Sequence, residues 1–233
     1  MAEDDSSRGT PLIARLAATL ARVVLSLAAS VRVEGLDQLP RMGPLIVVAN
    51  HLSNADPPLV VGWLTPTLGR RLHILAKGAL FVGPLGIFLR SQGVTPVRAG
   101  GSDMEAYRSA KAILDRGDVL CIFPEGTRSR TGQLSRPKPG VALLATRAEV
   151  PVVAVGISGT DRFLAPGRFL PRFRSPIVVR VGQPFILRAD PALPRREATR
   201  AASEELMRRL AELIDERHRG DYEPWLGSPI AGE

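Results

Sequence analysis

The chain has 233 residues, 45% hydrophobic and 23% charged, the composition of a folded globular protein, which excludes overall disorder. Lys and Arg outnumber Asp and Glu by 31 to 23, a formal charge of +8, so an anionic partner is expected: nucleic acid, a membrane surface or a phosphorylated substrate. The single cysteine, Cys121, excludes an intrachain disulfide framework; in the apolar run Val119-Leu120-Cys121-Ile122-Phe123 it reads as a small buried hydrophobe rather than a reactive thiol or a metal ligand.

Glu3, Asp4 and Asp5 precede any basic residue, and no small-residue cleavage pattern follows the first apolar stretch, so no secretory signal is expected. Between Leu12 and Ala29 the chain is mostly Ala, Leu and Val, but Arg15 and Arg22 interrupt it and it is short for a bilayer crossing. Arg15, Thr19, Arg22 and Ser26 fall in one narrow helical stripe with a wide apolar remainder. That pattern suits a helix lying in a membrane interface, the alternative being a helix packed across the body of the protein.

Val31 to Glu34 alternates like a short strand, and Leu45 to Ala49 is a continuous β-branched run of the kind a fully buried strand requires. Further such runs lie at Leu72–Leu75, Val119–Phe123, Val152–Ile157 and Ile177–Val181, with helical stretches at Pro57–Leu64, Asp103–Asp115 and Glu197–His218 between or after them. Strands alternating with helices predict an α/β fold, a central mostly parallel sheet flanked by helices, with the amphipathic membrane-associated helix ahead of it. The expected division is an N-terminal membrane-interface helix at 1–30, one main domain at 31–218 and a loose tail at 219–233. Neither an internal repeat nor a low-complexity tract is present.

Histidine occurs only at 51, 73 and 218. His51 directly follows the run Leu45–Ala49, at a strand's carboxyl end, where open α/β sheets gather their ligands and catalytic groups. Pro57 disfavours helix at Asp56 and suits the first helical position itself, so Asp56 is expected at the N-cap with His51–Ala55 curling back toward it. A carboxylate on one ring nitrogen with the other nitrogen free would make an oriented general base; a plain helix cap beside a structural histidine stays open on this segment alone. His73, inside a strand-like run, and His218, among charged residues at a helix end, are expected to be structural or solvated.

Phe123-Pro124-Glu125-Gly126-Thr127-Arg128-Ser129-Arg130 also follows a predicted strand. From Gly126 to Gly140 there are four basic residues, Arg128, Arg130, Arg136 and Lys138, and no acidic one, which fits a phosphate group or a solvated basic loop. Arg98 ends a short β-like run at 93–97. Neither a Gly-x-Ser-x-Gly elbow nor a phosphate-binding Gly-x-x-x-x-Gly-Lys-Ser/Thr loop nor a dinucleotide Gly-x-Gly-x-x-Gly occurs. A base without a partnered nucleophile points to direct deprotonation of a substrate hydroxyl. Arg162, Arg168, Arg172, Arg174 and Arg180, interleaved with Phe163, Phe169 and Phe173 and opposed only by Asp161, form a second basic region that fits contact with anionic lipid or an acidic carrier protein, or equally a solvated basic loop.

In this order the segments resemble the glycerolipid acyltransferase family, specifically the 1-acylglycerol-3-phosphate (lysophosphatidic acid) acyltransferases. Asn50-His51-x-x-x-x-Asp56 looks like its His-x4-Asp motif. Ala76-Lys77 through Phe81, Pro84, Gly86, Gly93 and Arg98 is similar to its second block, Phe123 to Arg130 matches the third, and Val150 to Val155 the fourth. The resemblance implies transfer of a fatty acyl group from acyl-CoA or acyl carrier protein to the sn-2 hydroxyl of lysophosphatidate. It gives His51 as general base and Asp56 as its orienting partner. Glu125, Gly126, Thr127, Arg128, Arg98, Lys77 and Lys138 would bind the glycerol phosphate. It implies no cofactor, no metal and no nucleic-acid partner, and a peripheral or monotopic place on the cytoplasmic face of the cell membrane. Glycerol 3-phosphate, another lysophospholipid or a glycolipid is the alternative acceptor, and a non-catalytic basic binder of membrane or nucleic acid is the competing class.

Overall fold

The apolar runs become seven strands in the computed structural model, which describes residues 12–77, 94–97, 103–168 and 170–225. They are β1 (Ala29–Glu34), β2 (Leu45–Ala49), β3 (Leu72–Lys77), β4 (Val94–Val97), β5 (Val119–Ile122), β6 (Val152–Ser158) and β7 (Ser175–Val181), in the sheet order β1-β7-β6-β2-β5-β3-β4. Every neighbouring pair is parallel except β6 and β7, which run antiparallel. The helices are α1 (Leu12–Ala28), α2 (Asp56–Leu68), α3 (Asp103–Asp115), α4 (Pro139–Ala148), the single turn α5 (Thr160–Phe163) and α6 (Arg195–Ala211).

Alternation along the buried strands splits the core in two. Leu45, Val47 and Ala49 of β2, with Cys121, Val153, Val155 and Ile177, face α1 and α2. Ile46 and Val48 face the other way, with Leu120, Val152 and Ala154, against Ile113 and Leu114 of α3, Leu144 and Ala145 of α4 and Leu206, Met207 and Leu210 of α6. Both faces of the central strands are therefore covered, which is why these strands are apolar without interruption. Each fully buried Leu, Ile or Val contributes about 1.5–3 kcal/mol relative to exposure.

α1 packs one side on the body of the protein and leaves the other exposed. Its small residues Ala14 and Ala18, with Leu25 and Ala28, are buried. Gly62 of α2 permits the close approach, since a Cβ there would lie 3.1 Å from the backbone nitrogen of Arg22, whose guanidinium sits 5.8 Å from the Trp63 ring centre. Its large residues Leu12, Ile13, Leu16, Leu20, Val23, Val24 and Leu27 point outward, Leu27 at 80% exposure. Among the described residues no helix is long and apolar enough to cross a membrane.

The carboxyl-terminal elements depart from expectation. The last helix ends at Ala211 rather than continuing to His218; Glu216–His218 and Gly220–Trp225 are separate 3-10 turns. Tyr222, expected in a loose tail, is buried against the α6 face of the core.

Candidate active site

Adjacent parallel strands β2 and β5 deliver the two motif loops to the same sheet edge, with Val48 of β2 paired to Ile122 of β5. β2 ends into Asn50, whose buried carboxamide accepts from the Ile157 N–H (2.7 Å) and donates to the Ile157 carbonyl (2.8 Å), tying the end of β2 to β6. His51 follows. Pro57 fixes the start of α2 as expected, but the N-cap is Ala55 and Asp56 is the first helical residue. Its carboxylate turns back over the loop instead of capping the helix.

Asp56 is fully buried, and its Oδ2 accepts from the Leu52 and Ser53 N–H groups, both at 2.6 Å, and from His51 Nδ1 at 2.9 Å. With Asp56 as acceptor, Nδ1–H is the donor and Nε2 is the ring nitrogen left for a substrate. No described protein group takes Nε2, and the ring retains 16% exposure. Phe123 stacks on the imidazole with centroids 4.3 Å apart, fixing its second degree of freedom. Ser53 donates its hydroxyl to the Leu164 carbonyl (2.7 Å), joining this loop to the segment after α5.

Glu125 does not point out toward a ligand. It is 5% exposed; Oε1 accepts from the His51 N–H (3.0 Å), and Oε2 accepts from the Ser135 N–H (3.1 Å) and hydroxyl (2.8 Å). Burial raises its carboxyl above the ordinary glutamate range, and the donors from His51 and Ser135 pull back only part of that. The carboxylate is thus a brace between the two motif loops, reinforced by the Ser129 N–H donating to the His51 carbonyl at 2.7 Å.

The other members of the third motif surround it. Gly126 adopts φ +69°, and a Cβ there would meet the Lys138 side chain at 2.6 Å, so the glycine lets Lys138 lie across the turn. The Lys138 backbone N–H donates to the Pro124 carbonyl (2.8 Å) and holds α4's start beside the loop. Thr127 and Lys138 are exposed and Arg128 is half-buried. Neither cation has an ion-pair partner among the described residues. Lys77 ends β3 opposite Val97. Arg98 and the second-block residues Phe81, Pro84, Gly86 and Gly93 lie outside the described residues.

The remaining histidines sit elsewhere. His73 is buried with Nε2 3.2 Å from Asp118, whose carboxyl, despite burial pushing it up, is held below its usual range by His73 and Arg116. His218 is 1% exposed and its Nδ1 meets the Gly132 carbonyl. Among the described residues no three His, Cys, Asp or Glu side chains gather as metal ligands would. Sequence reasoning named no role for Asn50, Ser53, Phe123 or Ser135. The first three are adjacent to or inside motif segments at strand ends, which was their only signal.

A family model described as Acyltransferase matches residues 30–158, more than half of the chain and both motif loops. The chain belongs to the acyltransferase family. It is 30% identical over 141 residues to the chloroplastic 1-acyl-sn-glycerol-3-phosphate acyltransferase LPAT1 of Arabidopsis thaliana, an alignment covering 59% of the chain but only 38% of that protein. It is 27% identical over 200 residues to the 1-acyl-sn-glycerol-3-phosphate acyltransferase of Bacillus subtilis, covering 85% of the chain and 96% of that relative. Its fold matches the crystal structure of the 1-acyl-sn-glycerophosphate (LPA) acyltransferase PlsC from Thermotoga maritima, with a TM-score of 0.66, 26% identity, and coverage of 86% of this chain and 79% of that one.

Proposed function

We propose that the protein transfers a fatty acyl group from acyl-CoA or acyl carrier protein to the sn-2 hydroxyl of lysophosphatidate, giving phosphatidate. The observation that carries this reading is the His51 imidazole, anchored at Nδ1 by a buried carboxylate with Nε2 open, beside a loop whose Arg128 and Lys138 have no ion-pair partner among the described residues.

In this reading Nε2 takes the proton of the attacking hydroxyl as its oxygen forms a bond to the thioester carbonyl carbon. The tetrahedral adduct then expels the thiolate, the C–S bond breaks, and the imidazolium returns the proton to sulfur. No covalent acyl-enzyme is needed. Asp56 stabilises the imidazolium and holds its orientation. Arg128 and Lys138 bind the acceptor's phosphate over the turn at Gly126 and Thr127, with Lys77 and Arg98 adding charge. Glu125 acts through His51 as a positioning residue, since both its oxygens are engaged by protein donors. Residues 31–218 form the catalytic unit. The outward apolar face of α1 supports attachment of residues 1–30 to a membrane interface, on the cytoplasmic side, without a crossing.

Acyl transfer from palmitoyl-CoA to lysophosphatidate in detergent micelles tests this. Wild type should form phosphatidate, and His51→Ala should lose at least about a hundredfold in rate, the usual contribution of a general base. Equal rates would remove His51 from the chemistry. Product from glycerol 3-phosphate but not from lysophosphatidate would replace the acceptor.

A further inference from the structure

The single antiparallel step in the sheet has a spatial result. β6 runs parallel to β2 and therefore ends at the edge that bears His51. β7 runs opposite to β6, with Ser158 paired to Val178, so β7 starts at that edge. β1 is parallel to β7, with Ala29 paired to Ser175, so it starts there too. The carboxyl end of α1 and the loop 164–174 are consequently brought to the catalytic edge. The Arg174 N–H donates to the Ala28 carbonyl (2.7 Å), joining loop and helix, and Ser53 joins the same loop to the His51 segment through Leu164.

Phe169 lies outside the described residues; the others of this loop include exposed arginines and exposed apolar residues. Leu170 is 83% and Phe173 68% exposed, and Leu27, which precedes the Ala28 that Arg174 bonds, is 80% exposed. Arg168, Arg172 and Arg174 are exposed, and none has an ion-pair partner among the described residues. The acid expected to oppose them, Asp161, is taken by Arg217 at 2.9 Å, and Arg180 leaves the group because it pairs with Asp215 (3.2 Å) and Glu34 (3.4 Å). Apolar side chains alternating with cations that have no ion-pair partner among the described residues, on a loop bonded to a helix with an outward apolar face, complement an anionic lipid surface better than an acidic protein, which would leave Leu170 and Phe173 in water.

We infer that loop 164–174 is a lipid-contacting rim of the active site. Arg168, Arg172 and Arg174 pair with anionic headgroups, Leu170 and Phe173 enter the headgroup–acyl boundary, and with α1 they orient the His51 edge toward the bilayer. The inference deepens the proposed membrane attachment and rests on it.

Partition of the full chain onto vesicles of phosphatidylcholine alone, or mixed equally with phosphatidylglycerol, tests it. Wild type should favour the mixed vesicles in a salt-dependent way. The triple variant Arg168→Gln, Arg172→Gln, Arg174→Gln should bind them roughly a hundredfold more weakly, about fivefold for each arginine lost. Leu170→Ser with Phe173→Ser should weaken binding to both vesicle types. Both variants should keep wild-type turnover on lysophosphatidate in neutral detergent micelles. Unchanged partition of the triple variant would overturn the inference, and so would micellar turnover falling as much as vesicle binding, which would assign the loop to the fold. Unchanged partition with slower transfer from an acidic carrier protein would give the arginines to that partner instead. Absence of wild-type turnover in micelles would sink the proposed acyl transfer, while the partition data would still decide the rim.

Discussion

Asp56 gathers three donors on Oδ2 while its buried Oδ1 has no partner among the described residues. An asparagine can offer its carbonyl oxygen to the same donors but cannot stabilise an imidazolium by charge. Asp56→Asn should therefore lower kcat by at least about a hundredfold with KM for the acceptor little changed, read by steady-state acyl transfer. Glu125→Ala leaves the His51 N–H without its acceptor and returns the exposed Ser135 donors to water, a loss of about 1–3 kcal/mol in all, visible as a lower urea midpoint. Cys121 is fully buried and its thiol is pushed up to about 12, so a thiol reagent at mildly alkaline pH should label it only as the protein unfolds. The His51–Asp56 pairing was legible because Pro57 dictates where α2 begins. The inward turn of Glu125 was not, because its partner Ser135 lies ten residues away in a segment with no periodic pattern.

At the scale of elements, Gly62 sets the distance between α1 and α2. Alanine there gains about 1 kcal/mol of helix propensity, set against a Cβ 3.1 Å from the Arg22 nitrogen, so Gly62→Ala should be nearly neutral. Leucine must push the helices apart, and Gly62→Leu should lose about 1–3 kcal/mol in a denaturation curve. Strands β2, β5 and β6 were legible because burial on both faces leaves only apolar residues. The helix Asp103–Asp115 was legible through its ends. The division of α1 into small residues inside and large ones outside was hidden, since alanine and leucine both count as apolar in a sequence pattern. The antiparallel entry of β7 was hidden as well, because pairing direction is decided by partners distant in sequence.

For the whole molecule, opposing titrations shape the pH dependence of stability. Burial alone would raise Asp118 and Asp161, but His73 with Arg116, and Arg217 with His218, hold them below the usual range. Their contribution is present above the unfolded-chain pKa and disappears as pH falls through the lowered folded values. Glu125 is raised, so folding takes up a proton there and stability declines as pH climbs from the ordinary glutamate value through the elevated one. A thermal melting series should show a maximum between the two regions, and Glu125→Gln should remove the decline on the alkaline side of it.

The pairing of Ala29 with Ser175 also imposes an order in time. Among the described strands, β1 is the first in the chain and has one neighbour, β7, which is the last of them to be made. At a synthesis rate of about 5–20 residues per second, β1 waits roughly 7–30 s for β7 to leave the ribosome. Throughout that interval α1 has its outward leucines and valines available while the sheet edge beneath it is unfilled. A nascent chain of this topology can thus reach a bilayer, or a chaperone, before its catalytic edge exists.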